Sequence, residues 1–194
     1  MRQRIIEHTL KLVGATGLRK FTMDAIAAEL RMSKRTLYMH FPSKEQLLVT
    51  CLATWLDRNR LLTVTAGNLV DELCLLHERV RKADRPHLQR CCRDMHQCCV
   101  PLYDFFLGRL FAYADACGEQ ARKDAEAGYL RRDVSSHTVS AVISDYLLRL
   151  LTGNELRVPE QSRSLTPEIL VVFARGLCTI KGRAHLDRQL KHQS

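Results

Sequence analysis

The chain has 194 residues, 46% apolar and 26% charged, enough for one small domain beside a larger one with its own core. No run nears the roughly 20 apolar residues of a membrane span. Glu7, His8 and Lys11 also break any signal-like stretch at the N-terminus, so a cytoplasmic protein with no membrane partner is expected. The formal charge of +9 is unevenly spread: residues 1–48 hold nine Lys/Arg against four Asp/Glu. Such a concentration is the electrostatic footprint of a polyanion partner.

An opening helix carries Ile5 and Leu12. Thr22 then stands as a candidate N-cap before a helical stripe of Met23, Ile26, Ala27 and Leu30. Ser33 takes the same part for a second short helix, Lys34 to His40, in which Leu37 and Phe41 point inward. That leaves Lys34, Arg35, Thr36, Tyr38 and His40 outward, two cations with hydroxyl, phenol and imidazole groups. Such a face suits the major groove, where base edges present donors and acceptors between walls of phosphate. Ser43 and Gln46 have capping-box spacing, so a new helix starts at Lys44. The pattern predicts a helix-turn-helix.

From Lys44 on, the spacing predicts helices with short breaks and no strand. Leu47, Leu48, Cys51, Leu52, Trp55 and Leu56 form one stripe running toward residue 62. Val70, Leu73, Cys74, Leu76 and Val80 form another. A third helix runs from Pro86 to Pro101, and an aromatic-rich helix from Leu102 to Gly128, with a break expected near Gly118. Two last helices are predicted over 136–152 and 167–182, separated by a polar connection over 153–167. The basic end, with Lys181, Arg183, Arg188 and Lys191, reads as a solvated, frayed tail.

Residues 1–48 resemble the DNA-binding domain of the TetR family of transcriptional regulators. The resemblance rests on Ile5, Leu12, Gly17, Thr22, Ile26-Ala27, Ser33, Thr36-Leu37-Tyr38, His40-Phe41, Ser43-Lys44-Glu45 and Leu47-Leu48. Two positions depart from the pattern. Arg31 stands where the turn usually has glycine, and Arg35 where the recognition helix often starts with a small residue. The resemblance implies an all-α architecture: a three-helix DNA-binding domain over 1–48 and a helical ligand-binding and dimerisation domain over 49–194. It implies a DNA-contacting set of Thr22, Ser33, Lys34, Arg35, Thr36, Tyr38, His40 and Lys44. Lys34, Arg35 and Thr36, in the first turn, enter the groove most deeply. For Thr22, Tyr38, His40 and Lys44 phosphate contacts are implied.

The family's effector pocket, carried over, lies among the helices between Leu47 and Tyr129. Its candidate lining is Trp55, Met95, Phe105 and Phe106, residues that also fit an ordinary core. On the last two helices Val142, Tyr146 and Leu150, with Ile169 and Phe173, form apolar surface broad enough to pack on a second copy. The resemblance implies the same pairing, hence a homodimer on a palindromic operator. The expected function is a ligand-responsive regulator, a repressor released from its double-stranded DNA operator by a small-molecule effector.

The alternative is a metal- or redox-sensing regulator built on the Cys91–Cys99 cluster, since Cys92, His96 and Cys99 share one helical face. Leu88, Cys91, Cys92, Met95, Cys98, Cys99 and Leu102 also have the spacing of a buried stripe, and free cysteine behaves as a small hydrophobe. The core reading is preferred, with no metal site and no cofactor expected. None of the phosphate-loop, dinucleotide or nucleophile-elbow motifs is present, so an enzyme is not expected.

Overall fold

The computed structural model describes residues 1–152 and 167–193, and the chain adopts the expected all-α class. Among the described residues ten helices follow in order: α1 Arg2–Thr16, α2 Met23–Glu29, α3 Lys34–His40, α4 Lys44–Arg58, α5 Leu69–Lys82, α6 Arg85–Cys98, α7 Val100–Glu126, α8 Ser136–Thr152, α9 Glu168–Leu177 and α10 Ile180–Gln193. A 3-10 turn over Leu18–Lys20 lies between α1 and α2. Residues 153–166 of the expected polar connection lie outside the described residues. No helix among the described residues is long and apolar enough to cross a membrane.

Two compact units divide the chain. One contains residues 1–61 and 90–108; the other contains 62–89 and the described residues from 109 onward. The first unit extends past residue 48 because α4 packs on α1. Cys51 and Leu56 are buried there, and the Cys51 thiol lies 3.8 Å from the Ile6 carbonyl oxygen. Residues of α6 also join this unit: Arg19 Nε donates to Asp94 at 2.7 Å, and its Nη2 donates to Gln97. Helix α4 ends at Arg58, short of the expected 62, where Arg60 and Leu62 take positive φ.

The core of the first unit is the inward stripe of each short helix. Ile5, Ile26, Leu37, Phe41 and Leu47 have no measurable exposure. Each helix start is fixed by the residue expected to cap it: Thr22 Oγ1 accepts the Ala25 N–H at 3.1 Å, Ser33 Oγ that of Thr36 at 3.0 Å, and Ser43 Oγ that of Gln46 at 3.1 Å. A cap of this kind contributes about 1 kcal/mol.

The turn between α2 and α3 closes as a Schellman motif. Arg31 sits at φ 53°, its N–H donates to Ala28 O at 3.1 Å, and the Met32 N–H donates to Ala27 O at 3.0 Å. A side chain in this left-handed region costs about 1–2 kcal/mol, which glycine avoids, although glycine loses more entropy on folding. Arg31→Gly is therefore expected to raise stability by about 0.5–1 kcal/mol, read as a higher denaturant midpoint. A lower midpoint would show that contacts of the arginine side chain outweigh its backbone cost.

In the second unit, Asn68 caps α5, its Oδ1 accepting the Asp71 N–H at 2.9 Å. One turn on, Glu72 is fully buried. It accepts from the Thr65 N–H at 2.9 Å, the Ala66 N–H at 3.0 Å and the Tyr113 hydroxyl at 2.8 Å, and it pairs with Arg79 at 3.4 Å. Helix α7 does not break at Gly118. A Cβ there would lie 2.2 Å from Ser140 Oγ and 2.5 Å from the Ser136 carbonyl oxygen, so this glycine lets α8 approach α7.

The end of the chain differs from expectation in a second way. In place of one helix over 167–182, α9 stops at Leu177 and α10 begins at Ile180. Between them Cys178 is extended and bridges Leu130, while the Thr179 N–H donates to Tyr129 O at 3.1 Å. Helix α10 is docked on α5 and α9, with Leu186 fully buried and a 2.7 Å contact between His185 Nε2 and Asp71. The basic tail is thus an integral helix, held by an apolar anchor that the charged sequence around it obscures.

Candidate nucleic-acid interface

Helix α3 has one inward and one outward direction. Leu37 is fully buried, and at about 100° per residue Arg35 and Met39, two positions before and after it, each lie about 160° away. They flank the point opposite the core, within about 40° of each other. Arg35 is exposed, and Met39 is the most exposed large apolar side chain of α3, at 76%. Met39 is absent from the expected contact set because sequence reasoning sought donors; its helical position was the signal.

The other expected residues stand to the sides. Lys34 Nζ donates to Asp24 of α2 at 2.7 Å, a bond that holds the ammonium above its usual pKa. Thr36 Oγ1 lies 2.8 Å from the capping Ser33 Oγ, so both hydroxyls are engaged within the helix start. Tyr38 is exposed and His40 half-buried. The His40 carbonyl accepts from Arg2 Nη1 at 3.3 Å, and the Arg2 guanidinium stacks 4.5 Å from the Phe41 ring centre, tying α1 to the end of α3. Lys44 Nζ donates to the Phe21 carbonyl at 2.8 Å and lies over the Phe21 ring. This places Lys44 beside the start of α2, next to Thr22.

Of the three first-turn candidates, Arg35 alone is directed straight away from the core. Its guanidinium has the planar fork that matches guanine O6 and N7. The caps and the Leu37–Phe41 anchor fix the helix in advance, so little ordering cost remains for DNA binding.

The residues expected in other roles differ in exposure. Met95 and Phe106 are buried, Phe105 is half-buried and Trp55 is largely exposed. An open cleft of about 370 Å³ lies elsewhere, in the second unit, lined by Arg175, Gly176, Arg183 and Asp187. Val142 and Ile169 are exposed and Phe173 half-buried, but Tyr146 and Leu150 are only 5% and 6% exposed. Those two are already packed within the chain and have almost no surface left to offer a partner. Val172, 68% exposed, was not among the expected residues and presents more.

Cys92 and Cys99 are buried, His96 is exposed and packs edge-on against Tyr103, and Cys98 is exposed. Among the described residues no three His, Cys, Asp or Glu side chains are grouped so that they could hold a metal ion. Burial pushes the Cys92 thiol up to about 12 and raises that of Cys99, so both are thiols at neutral pH. Protonated thiols are slow nucleophiles, and two buried ones fill the core as small hydrophobes.

Residues 5–51 match the family model of bacterial regulatory proteins of the tetR family. An HTH-type transcriptional regulator of Mycobacterium bovis is 39% identical over 74 residues, 37% of this chain and 35% of its own length. The HTH-type transcriptional repressor KstR of Rhodococcus jostii is 31% identical over 117 residues, 59% of this chain and 49% of the repressor. The matched region thus spans between about a third and a half of these relatives. Among solved structures, Salmonella enterica GusR shares the fold, with a TM-score of 0.61 over 91% of this chain and 94% of that one at 19% identity. Residues 5–51 are thus a DNA-binding domain of the TetR family of bacterial regulatory proteins, on a chain whose fold is shared with a solved structure along nearly its whole length.

Proposed function

We propose that this protein is a ligand-responsive transcriptional regulator, a repressor that occupies a palindromic operator as a homodimer and leaves it when a small molecule binds. The observation that carries this reading is the direction of Arg35: an exposed guanidinium opposite the buried anchor of an N-capped recognition helix. Two such helices, about 34–36 Å apart in a dimer, would meet successive major grooves. An effector seated among the helices near Met95, Phe105 and Phe106 would bind better to a dimer with mis-spaced recognition helices. By linkage, that difference in affinity equals the loss of DNA affinity, commonly about 1–3 kcal/mol. The relatives named as transcriptional regulators, and one as a repressor, support the class. No enzymatic role is proposed.

The test separates base reading from phosphate anchoring. Arg35→Ala should cost about 1–3 kcal/mol on a selected operator and little on scrambled duplex. Lys44→Ala should weaken both duplexes alike and lower the salt slope by about 1 per subunit. Both variants would be titrated against both duplexes at two salt concentrations. Equal loss on both duplexes for Arg35→Ala would make Arg35 a phosphate contact and overturn its assignment.

A further inference from the structure

We infer that Met39 is a specificity-determining residue that reads the C5-methyl group of a thymine in the major groove. The inference rests on α3 being the DNA-reading helix and adds a base preference to it.

Three observations support it. Met39 is 76% exposed on a helix whose apolar residue Leu37 is fully buried, so Met39 is no part of the core. It lies within about 40° of Arg35, on the sector directly opposite that core. The group that shares this sector is the exposed cation Arg35, four residues back on the same face. A polyanion is the occupant such a face suits.

Within that occupant the chemistry narrows further. A thioether has no N–H or O–H to donate, so Met39 can neither hold a phosphate nor donate to guanine O6 or N7. The thymine methyl is the apolar group on the major-groove edge of the bases. An unbranched, polarisable side chain with three rotatable bonds can follow a methyl group that a rigid branched one would clash with. Because Arg35 and Met39 are four residues apart on one face, they would address neighbouring base pairs: Arg35 a guanine, Met39 a thymine.

The experiment uses the full chain and a duplex selected from random sequence by the wild type. Each thymine of the half-site is replaced in turn by deoxyuridine, which removes the methyl group and leaves every hydrogen-bonding atom in place. At one position per half-site, uracil should weaken the wild type by about 3–5-fold, the worth of one buried methyl. Met39→Ala, at a position too exposed to endanger folding, should bind the thymine and uracil duplexes equally there, and Met39→Leu should recover part of the preference. Equal binding of the two duplexes by the wild type at every position, or a thymine preference that persists in Met39→Ala, would overturn the assignment of Met39 alone. Failure of the wild type to select any duplex would overturn the reading of α3, and this inference with it.

Discussion

Glu72→Ala is expected to destabilise the second unit by about 3–5 kcal/mol and lower its unfolding temperature on the order of 10 °C. The reason is the set of groups the carboxylate leaves behind. The Thr65 and Ala66 N–H groups, the Tyr113 hydroxyl and the Arg79 guanidinium all donate to it. Removing one buried acceptor strands several donors, and each stranded group has an unpaid desolvation cost of about 1–3 kcal/mol unless water reaches it. Tyr113→Phe is the control. It removes one donor and leaves the carboxylate its others, so about 1 kcal/mol is expected. Thermal unfolding of the two variants followed by circular dichroism makes the comparison. Equal and small losses would mean that Glu72 is solvated and that its burial is not structural.

Val172→Glu should separate assembly from folding. Val172 is 68% exposed in the single chain, so a carboxylate there faces water in the protomer and leaves thermal stability of the monomer unchanged. In a dimer joined through α8 and α9 the same carboxylate would be buried against apolar side chains such as Val142 and Ile169, without a partner. Wild type is expected to sediment at about 45 kDa, twice the 22.3 kDa chain, and the variant at the monomer mass. Operator affinity should fall about 10²–10⁴-fold, since the second half-site is no longer held at high effective concentration. Leu170→Glu, at a buried position of α9, should by contrast unfold the unit. A wild type that remains monomeric at micromolar concentration, or a dimeric Val172→Glu, would exclude this face as the interface.

The sequence by itself determined what depends on neighbours a few residues away. Thr22, Ser33 and Ser43 cap their helices because each needs only the backbone N–H three residues on. Leu37 and Phe41 point inward because α-helical spacing puts them on one face, and the strained Arg31 was evident from its place in the turn. These local rules suffice for the helix-turn-helix and for the all-α class. The tertiary structure decided everything that turns on distant partners. Lys34, read as a base contact, is drawn to Asp24 ten residues before it. Glu72, an ordinary surface residue by pattern, is buried because Tyr113 comes to it from 41 residues away. Gly118 reads as a helix break, since the same missing Cβ that lowers helix propensity also permits the close approach of α8. The basic tail becomes α10 through buried Leu186 and a contact from His185 to Asp71, 114 residues distant. Periodicity fixes which side of a helix is apolar. Which part of that side meets the chain itself, as Tyr146 and Leu150 do, and which stays exposed, as Val172 does, depends on packing that no local window contains.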